Sequence, residues 1–379
     1  MQNKEHKSSP HQGIRILHGK TRRIMKRYRK ILVLAACVLC TILLCCIERG
    51  ITGSLNTQKL AERWSKEEDF AQIACYFTEE ASFSEEQIMA VERSLVTAME
   101  TASITSENEN GGRNWLDAYS TQGRLVIGSQ RGSMQVRAFG VGGDFFRFHP
   151  LDLLDGNYFD ATDENEDGVI IDEMVAWQLF GSNNVSGMEV EINGVVYPIR
   201  GVIRSDKGLF SEAVEEETAT IYVSYGILEG KEGSLPVDCY EVLIASPVKD
   251  FGRETVANAL GMDASAYELI ECSARFDLKH RFEVLKNFGI RSMTTKNIVF
   301  PYWENRARGY EDVSALFLVL EILSLTYPVG WLLRKLYGYW KRRKELKKKF
   351  FEKCKDLWGF VFPVLKNTVK TYKLVNKKK

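Results

Sequence analysis

Two long apolar runs divide the chain into three polar stretches. The first covers residues 31–47 (ILVLAACVLCTILLCCI) and contains no charge, proline or glycine. The second covers residues 313–333 (VSALFLVLEILSLTYPVGWLL) and contains one charged side chain, Glu321. A helix needs about 20 predominantly apolar residues to cross the hydrocarbon core of a bilayer. The pattern therefore predicts two transmembrane helices, which we place at residues 31–48 and 313–333.

The charges are segregated in the same way, although the 379 residues sum to a formal net charge of only +1. Residues 1–30 carry ten Lys or Arg and one Glu, and residues 334–379 carry seventeen Lys or Arg and three acidic residues. The part between them carries 24 basic and 46 acidic residues. Positive flanks stay inside the cell. We therefore expect a cell-membrane protein with both termini cytoplasmic and residues 49–312 outside the cytoplasm.

Other interpretations of the first run fit less well. A cleaved signal peptide needs a small-residue cleavage site, and none follows Ile47. Leu34-Ala35-Ala36-Cys37 matches a lipoprotein signal, but the apolar run continues well past Cys37. Buried core helices of a soluble protein do not suit flanking charge blocks of one sign. An uncleaved anchor is the favoured interpretation.

Glu321 lies in the middle of the second apolar run. A lone carboxylate in lipid is costly, so such a residue normally faces protein or is protonated. Two interpretations are equally consistent with this position. The first is an assembly contact with another membrane subunit, and the second is a tolerated residue in a loosely packed helix.

The stretch between the runs contains two predicted strand–helix–strand units. The first consists of a strand at 72–77, a helix that starts at the capping box of Ser84 and ends at Met99, and strands at 115–119 and 124–127. The second consists of a strand at 239–245, a helix capped by Ser246 with Pro247 at its first position and Gly261 at its end, and a strand at 267–271. Together they predict one split α+β layer.

A strand-rich insertion, about residues 133–235, separates these units. Asn193-Gly194 between strands at 188–192 and 195–199 predicts a type I′ hairpin, and residues 221–225 predict another strand. A helix at 277–288 leads back to the membrane. The predicted fold class is therefore α+β, a membrane-anchored extracytoplasmic domain between two transmembrane helices.

A set of short motifs in the insertion carries a family resemblance. In order they are Val141–Phe146 (VGGDFF), Leu154–Phe159 (LDGNYF), Val169–Glu173 (VIIDE), Ala176–Gly181 (AWQLFG), Gly187, Val190–Gly194 (VEING) and Tyr197–Ile203 (YPIRGVI). Their order and spacing resemble the MacB-like periplasmic core domain of ABC-transporter permeases of the MacB/FtsX type.

The resemblance implies a porter-like split βαβ layer with an inserted strand-rich part. It also implies a mechanical transmitter that couples ATP hydrolysis by a separate cytoplasmic ABC ATPase to movement outside the membrane. Permeases of this type usually have four membrane helices, three of them after the core domain, whereas one follows here. The chain resembles a reduced relative, and the expected partners are that ATPase, other membrane subunits and a homo- or hetero-oligomeric assembly.

Candidate chemistry is sparse. Gly19-Lys20-Thr21 invites a P-loop interpretation, but Gly13 lies one residue too far away and no strand precedes the motif. Residues 163–168 (DENEDG) match the start of a calcium loop, whose twelfth position, Met174, lacks the required acid. His149 precedes a proline and is predicted to be an extended loop residue. We expect no enzyme activity, cofactor or metal.

Cys75, Cys239 and Cys272 fall on or beside predicted strands of the α+β layer. If those strands are neighbours, a disulfide is possible. Three is an odd number, so buried free thiols are favoured over a disulfide framework.

The segment after the second run interleaves basic and aromatic residues, among them Phe350, Phe351 and Trp358. Its central basic residues are Lys341, Arg342, Arg343, Lys344, Lys347, Lys348 and Lys349. This composition predicts an amphipathic segment on the anionic inner leaflet, or a docking arm for a cytoplasmic partner. Nucleic acid is not expected, because membrane proximity already explains the charge.

Two functions are consistent with these patterns. The favoured one is a permease-like, non-ATPase subunit of an ABC-type complex that recognises a partner or substrate with its outer domain. The alternative is a stand-alone membrane-anchored binding or sensor module that works without an ATPase.

Overall fold

The computed structural model describes residues 10–66, 69–104, 113–159, 167–205, 210, 219–232, 235–291 and 296–375. The chain divides into two compact units. One is the domain Ile47–Leu318, and the other contains the two terminal segments, Met1–Cys46 and Val319–Lys379.

Helices and strands are interspersed along the described part of the chain. The helices are α1 Pro10–Gly53, α2 Leu60–Trp64, α3 Glu85–Thr101, α4 Phe145–Phe148, α5 Glu173–Leu179, α6 Tyr225–Glu232, α7 Phe251–Leu260, α8 Leu278–Asn287 and α9 Tyr302–Val375. The strands are β1 Phe70–Phe77, β2 Trp115–Ser129, β3 Gly132–Gly143, β4 Leu153–Gly156, β5 Val169–Asp172, β6 Glu189–Ile192, β7 Val195–Ile203, β8 Thr220–Ser224, β9 Cys239–Ala245 and β10 Tyr267–Glu271.

All ten strands belong to one sheet, in the order β10-β1-β9-β2-β3-β8-β5-β7-β4, and β6 pairs with β2 and β7. At one end, β9 lies between β1 and β2, and β1 lies between β9 and β10, with antiparallel neighbours throughout. Helices α3 and α7 connect these two interleaved pairs. The predicted split βαβ layer is therefore confirmed.

Helix α3 forms because its sequence is capped and amphipathic. Ser84 and Gln87 make a reciprocal capping box, as predicted. The buried residues recur at helical spacing and belong to the core between α3, α7 and the sheet: Ile88, Val91, Leu95 and Met99. The opposite face of this half of the sheet packs on α2, α4 and the first turn of α9.

The insertion continues the same sheet through β3 to β8. Its core includes Leu125 and Ile127 of β2, so the long β2–β3 hairpin joins both halves of the domain. At the tip of the β6–β7 hairpin, Asn193 and Gly194 both have positive φ, 54° and 81°. The predicted type I′ turn is consistent with both values.

Three sequence predictions about element boundaries are wrong. The strands at 115–119 and 124–127 form a single strand, because β3 pairs with all the residues between them and β9 pairs with Ser120. Helix α7 begins at Phe251 rather than after Ser246, because Asp250 is left-handed (φ 64°). Ser246 Oγ still accepts a hydrogen bond from the Gly252 backbone N–H at 3.2 Å. Tyr225 starts α6 instead of ending a strand.

In the other unit, α1 and α9 are long and apolar enough to cross a membrane. Most of their apolar side chains are exposed, which contradicts a soluble core-helix interpretation. Thr41 Oγ1 and Ser324 Oγ lie 2.6 Å apart. Three of the partly buried residues of α1 are small, which permits close helix packing: Cys37, Thr41 and Cys45.

Both helices extend beyond the predicted spans. The backbone of α9 is helical from Tyr302 to Val375 and includes Pro363.

Gly156 provides a test of this fold, because a Cβ there would lie 2.1 Å from the Arg200 carbonyl oxygen in the β4–β7 pairing. Its φ is +76°. Gly187 has a similar φ of +82°, but a Cβ there would meet nothing within 4 Å.

We expect Gly187→Ala to cost about 1–2 kcal/mol from the left-handed backbone alone. Gly156→Ala should cost clearly more, because β4 must also move away from β7. Thermal melts of the two purified variants measure this difference. Equal melting temperatures would contradict the described β4–β7 contact.

Candidate functional site

The two ends of the domain meet where the last turns of α1 contact the fourth turn of α9. Ser314 Oγ donates a hydrogen bond to Glu48 Oε1 at 2.5 Å. Arg281 of α8 donates from Nη2 to the Ser314 carbonyl oxygen at 2.9 Å, and its Nε lies 3.9 Å from Glu48 Oε1. All three residues are buried. These contacts join α1, α8 and α9 at the edge of the domain.

A buried ion pair lies further inside. Arg275, next to the turn that follows β10, and Glu304 of α9 are both fully buried, and Arg275 Nη2 donates to Glu304 Oε2 at 2.7 Å. The hydroxyl of Tyr76 donates to the same oxygen at 3.1 Å, and Arg308 Nε donates to Oε1 at 2.9 Å. Both oxygens of Glu304 are therefore hydrogen bonded, as a buried carboxylate requires.

A second carboxylate, Glu311, lies two helical turns further along α9. Its Oε1 is 3.4 Å from Arg275 Nε and 3.2 Å from His280 Nε2. Arg291 pairs with Glu311 and also, at 2.6 Å, with Asp312. We call Arg275, Arg281, Glu304, Arg308, Glu311 and Glu48 the base network.

The charges in this network stabilise one another. Burial alone would raise the pKa of Glu311, but Arg275, the His280 hydrogen bond and Arg291 outweigh it and lower the pKa. Burial opposes the charge on Arg275, whereas Glu304 and Glu311 raise the pKa of its guanidinium well above the usual value. Both groups are therefore ionised at neutral pH.

The first turn of α9 is also fixed in the core of the sheet. Trp303 is 1% exposed, and its ring centroid is 5.3 Å from that of Phe139 on β3. The Tyr302 and Tyr222 hydroxyls are 2.8 Å apart. The helix is therefore attached both to the sheet and to the base network.

His149 differs from its predicted character as an extended loop residue. It is 2% exposed, hydrogen bonds to Glu241 through Nε2, and stacks between Phe145 and Trp303 with ring centroids 4.6 Å away on each side. The position before Pro150 gave no sign of this burial, because the partner Glu241 lies on β9, 92 residues later.

A cleft of about 1160 Å³ opens beside the base network, between α7, β10, α8 and α9. Its lining includes charged groups of both signs, such as Arg253, Glu271 and Lys279. Small-molecule cofactor pockets are mostly apolar, so this lining does not point to one. Within the described residues, no group of three or more His, Cys, Asp or Glu side chains could hold a metal ion.

The candidate residues proposed from the sequence lie in different parts of the structure and do not form one site. Glu321 is 7% exposed, so its own chain covers most of it, and contact with a second subunit stays a prediction. Cys75, Cys239 and Cys272 are free and buried on neighbouring strands or the turn after them, and burial raises the pKa of each thiol. They are therefore poor nucleophiles.

Two motifs have simpler explanations. Gly19-Lys20-Thr21 lies inside α1, not in a loop between a strand and a helix, so it lacks the geometry of a P-loop. The acidic loop at 163–168 lies mostly outside the described residues. Its Asp167 pairs with Arg200 at 2.8 Å.

The predicted basic docking residues all lie on α9 and are exposed: Lys341, Arg342, Arg343, Lys344, Lys347, Lys348 and Lys349. Arg343, Leu346, Lys347 and Phe350 share one side of the helix. No turn separates this segment from the apolar run. The segment therefore continues the same helix, and its contact with the inner leaflet or with a partner stays a prediction.

Sequence reasoning missed the base network. The acids that flank the apolar runs, Glu48 and Glu311, were a usable signal, because charges at a membrane boundary need partners. No local pattern pairs Arg275 with Glu304, which is 29 residues away.

The fold and the site thus define a class of protein: an α+β domain between two helices that are long and apolar enough to cross a membrane. The model of the MacB-like periplasmic core domain matches residues 31–249, which are 219 of the 379 residues. The chain belongs to this family. The match ends before Arg275, so most of the base network lies beyond it.

Two solved structures are similar to this chain. The extracellular domain of the noncanonic ABC-type transporter YknZ from Gram-positive bacteria is 17% identical, with a TM-score of 0.35, over 53% of this chain and 100% of that one. The periplasmic region of MacB from Actinobacillus actinomycetemcomitans is 14% identical, with a TM-score of 0.38, over 59% of this chain and 94% of that one. A comparison with curated proteins found no match.

Arg275→Met should strongly destabilise the domain, because it leaves Glu304 buried without its main cation. Removing one partner of a buried ion pair costs about 3–5 kcal/mol. Lys279→Met is the matched control, since Lys279 is exposed and lies 3.9 Å from Glu283. Its effect should stay within about 0.5 kcal/mol. Denaturant unfolding of both variants measures the difference, and a mild Arg275→Met effect would contradict the pairing.

The pH dependence of stability should report Glu311. Its pKa is lower in the folded protein than the ordinary 4.5. Its contribution to the free energy of unfolding is therefore complete above the unfolded pKa and is lost as the pH falls through the folded pKa. Thermal melts at decreasing pH should show this loss for the wild type. Glu311→Gln should flatten the slope and the exposed Glu283→Gln should not; an unchanged slope in Glu311→Gln would refute the assignment.

Proposed function

We propose that this chain is a permease-like, non-ATPase membrane subunit of an ABC-type transport or mechanotransmission complex. Its domain lies outside the cytoplasm, both termini lie inside, and the domain recognises a partner or substrate. The family match supports the permease class. The observation that carries the mechanical role is the base network, which ties the sheet to α9.

In this proposal α9 is the transmitting element. It is helical from Tyr302 to Val375, 74 residues. Its first turn is packed in the sheet core through Trp303, and its next two turns carry Glu304, Arg308 and Glu311. Force applied to its cytoplasmic part would reach the domain through these buried contacts.

The basic segment of α9 is the proposed docking site for the ATPase. Phe350 and Phe351 are 69% and 79% exposed, so their apolar surface is available to a partner. The anionic inner leaflet would contact the first turns after the span, beginning at Arg334 and Lys335, and each basic residue near the surface contributes about 1 kcal/mol. Glu321 remains the proposed contact with further membrane subunits in a homo- or hetero-oligomer.

The alternative is a membrane-anchored binding or sensor module without an ATPase. Recovery of partners distinguishes the two functions.

The test is a mild-detergent pull-down of the tagged full-length chain from its native host, with partners identified by mass spectrometry. We expect a stoichiometric nucleotide-binding subunit. Replacing the seven basic residues at 341–344 and 347–349 with Gln should release it, because the docking charge is lost. The matched control is the Glu345→Gln, Glu352→Gln double variant in the same helix, which should retain it.

Loss of the ATPase from both variants would mean that the helix itself, not its basic surface, is the requirement. A wild-type chain that never recovers an ATPase would refute the favoured function and support the stand-alone module. Glu321→Leu should leave the ATPase bound and reduce recovery of other membrane subunits.

A further inference from the structure

Helix α8 is fixed beside the part of α9 where the apolar run begins. Arg281 donates two hydrogen bonds to the Ser314 carbonyl oxygen, at 2.9 and 3.3 Å. His280 lies 3.2 Å from Glu311, and Arg291, just after α8, pairs with Asp312. These contacts hold α8 against residues 311–314.

That position sets the depth of α8 relative to a bilayer. The apolar run starts at Val313, immediately after two acidic residues. Ser314 therefore lies within about 2 Å of the hydrocarbon boundary along the helix axis, at 1.5 Å per residue. The headgroup region on each side is about 5–7 Å thick, so a helix packed against Ser314 lies at headgroup depth.

Two large apolar side chains lie one turn apart on the exposed side of α8. Leu278 is 60% exposed and Phe282 is 49% exposed. Phe288 and Ile290, just after the helix, are 49% and 60% exposed and line the cleft beside the base network. The opposite side of the helix is buried through Arg281 and Val284. A cluster of large exposed apolar side chains is a typical sign of an interaction surface.

Basic residues accompany this face. Lys279 and Lys286 are exposed on α8 beside the apolar positions, together with one acidic residue, Glu283, which pairs with Lys279. Long basic side chains beside apolar ones are the composition of helices that lie in the plane of a membrane interface, with apolar side chains reaching about 5–10 Å into the lipid.

We propose that α8 is an interfacial helix that seats the domain on the outer leaflet, with Leu278 and Phe282 inserted among the phospholipids. This rests on the membrane crossing of α9 included in the proposed function, but not on an ATPase partner. The same helix carries Arg281 of the base network, so lipid contact and the buried charges would be fixed to one rigid element.

The test places a photoreactive diazirine amino acid at position 282, or at 278 in a second variant, in the full-length chain. The purified protein is reconstituted in vesicles of phosphatidylglycerol and phosphatidylcholine, irradiated, and searched for lipid adducts by mass spectrometry. Position 196 is the negative control, because Val196 is 56% exposed on the distant β6–β7 hairpin. Position 323 is the positive control, because Leu323 is 63% exposed within the apolar run.

We expect lipid adducts at 282 and 278 at least about tenfold above those at 196, since an interfacial residue stays among lipids. Adducts at 323 alone would overturn the proposal while leaving the membrane crossing intact. Crosslinks from 282 to a second copy of the chain would overturn it in favour of a protein interface. Absence of lipid adducts at 323 as well would overturn both the membrane crossing and the interfacial helix.

Discussion

The buried ion pair between Arg275 and Glu304 is the interaction on which the arrangement of the domain depends. Neither side chain is exposed, and Glu304 also accepts hydrogen bonds from Tyr76 and Arg308. The pair thereby connects β1, the turn after β10 and α9, which are separated by long stretches of sequence. Because a buried charge without its partner is strongly unfavourable, these elements separate only at a high cost. The position of α9 relative to the sheet is therefore set by electrostatics as well as by packing.

A buried ion pair stabilises a fold less than well-packed apolar residues of similar volume often do. In this domain the ion pair has a different advantage: it restrains the orientation of α9. Glu304, Arg308 and Glu311 recur at i, i+4 and i+7, so they occupy one face of α9, and each contacts a charged residue outside the helix. An apolar stripe would tolerate small rotations of the helix, whereas paired charges fix its rotation and its axial position. A helix that carries force from one part of a protein to another benefits from both restraints.

Local patterns in the sequence were sufficient for much of the architecture. The short, mostly apolar run Cys239–Ala245 and the capping box at Ser84 define their elements because the determining residues lie close together in the sequence. Predictions from such local patterns were wrong where the conformation of a residue depends on contacts with residues far away in the sequence. The polar residues between Tyr119 and Arg124 remain in a strand because β3 and β9 pair with them. His149 is buried because it is hydrogen bonded to Glu241, which lies on a strand 92 residues away in the sequence. The base network belongs to this second kind, and its acids at the ends of the apolar runs were the one local sign of it.

The family match and the base network occupy different parts of the chain. The match ends at residue 249, whereas Arg275, Arg281, Glu304 and Glu311 follow it. The matched part contains β1 to β9, which build most of the sheet and its cores. The remaining part contains the elements that attach the sheet to α9: the turn after β10, α8 and the first turns of α9 itself. The charge pairs that fix the rotation of α9 therefore lie mostly outside the matched part, whereas the sheet that they hold lies mostly within it.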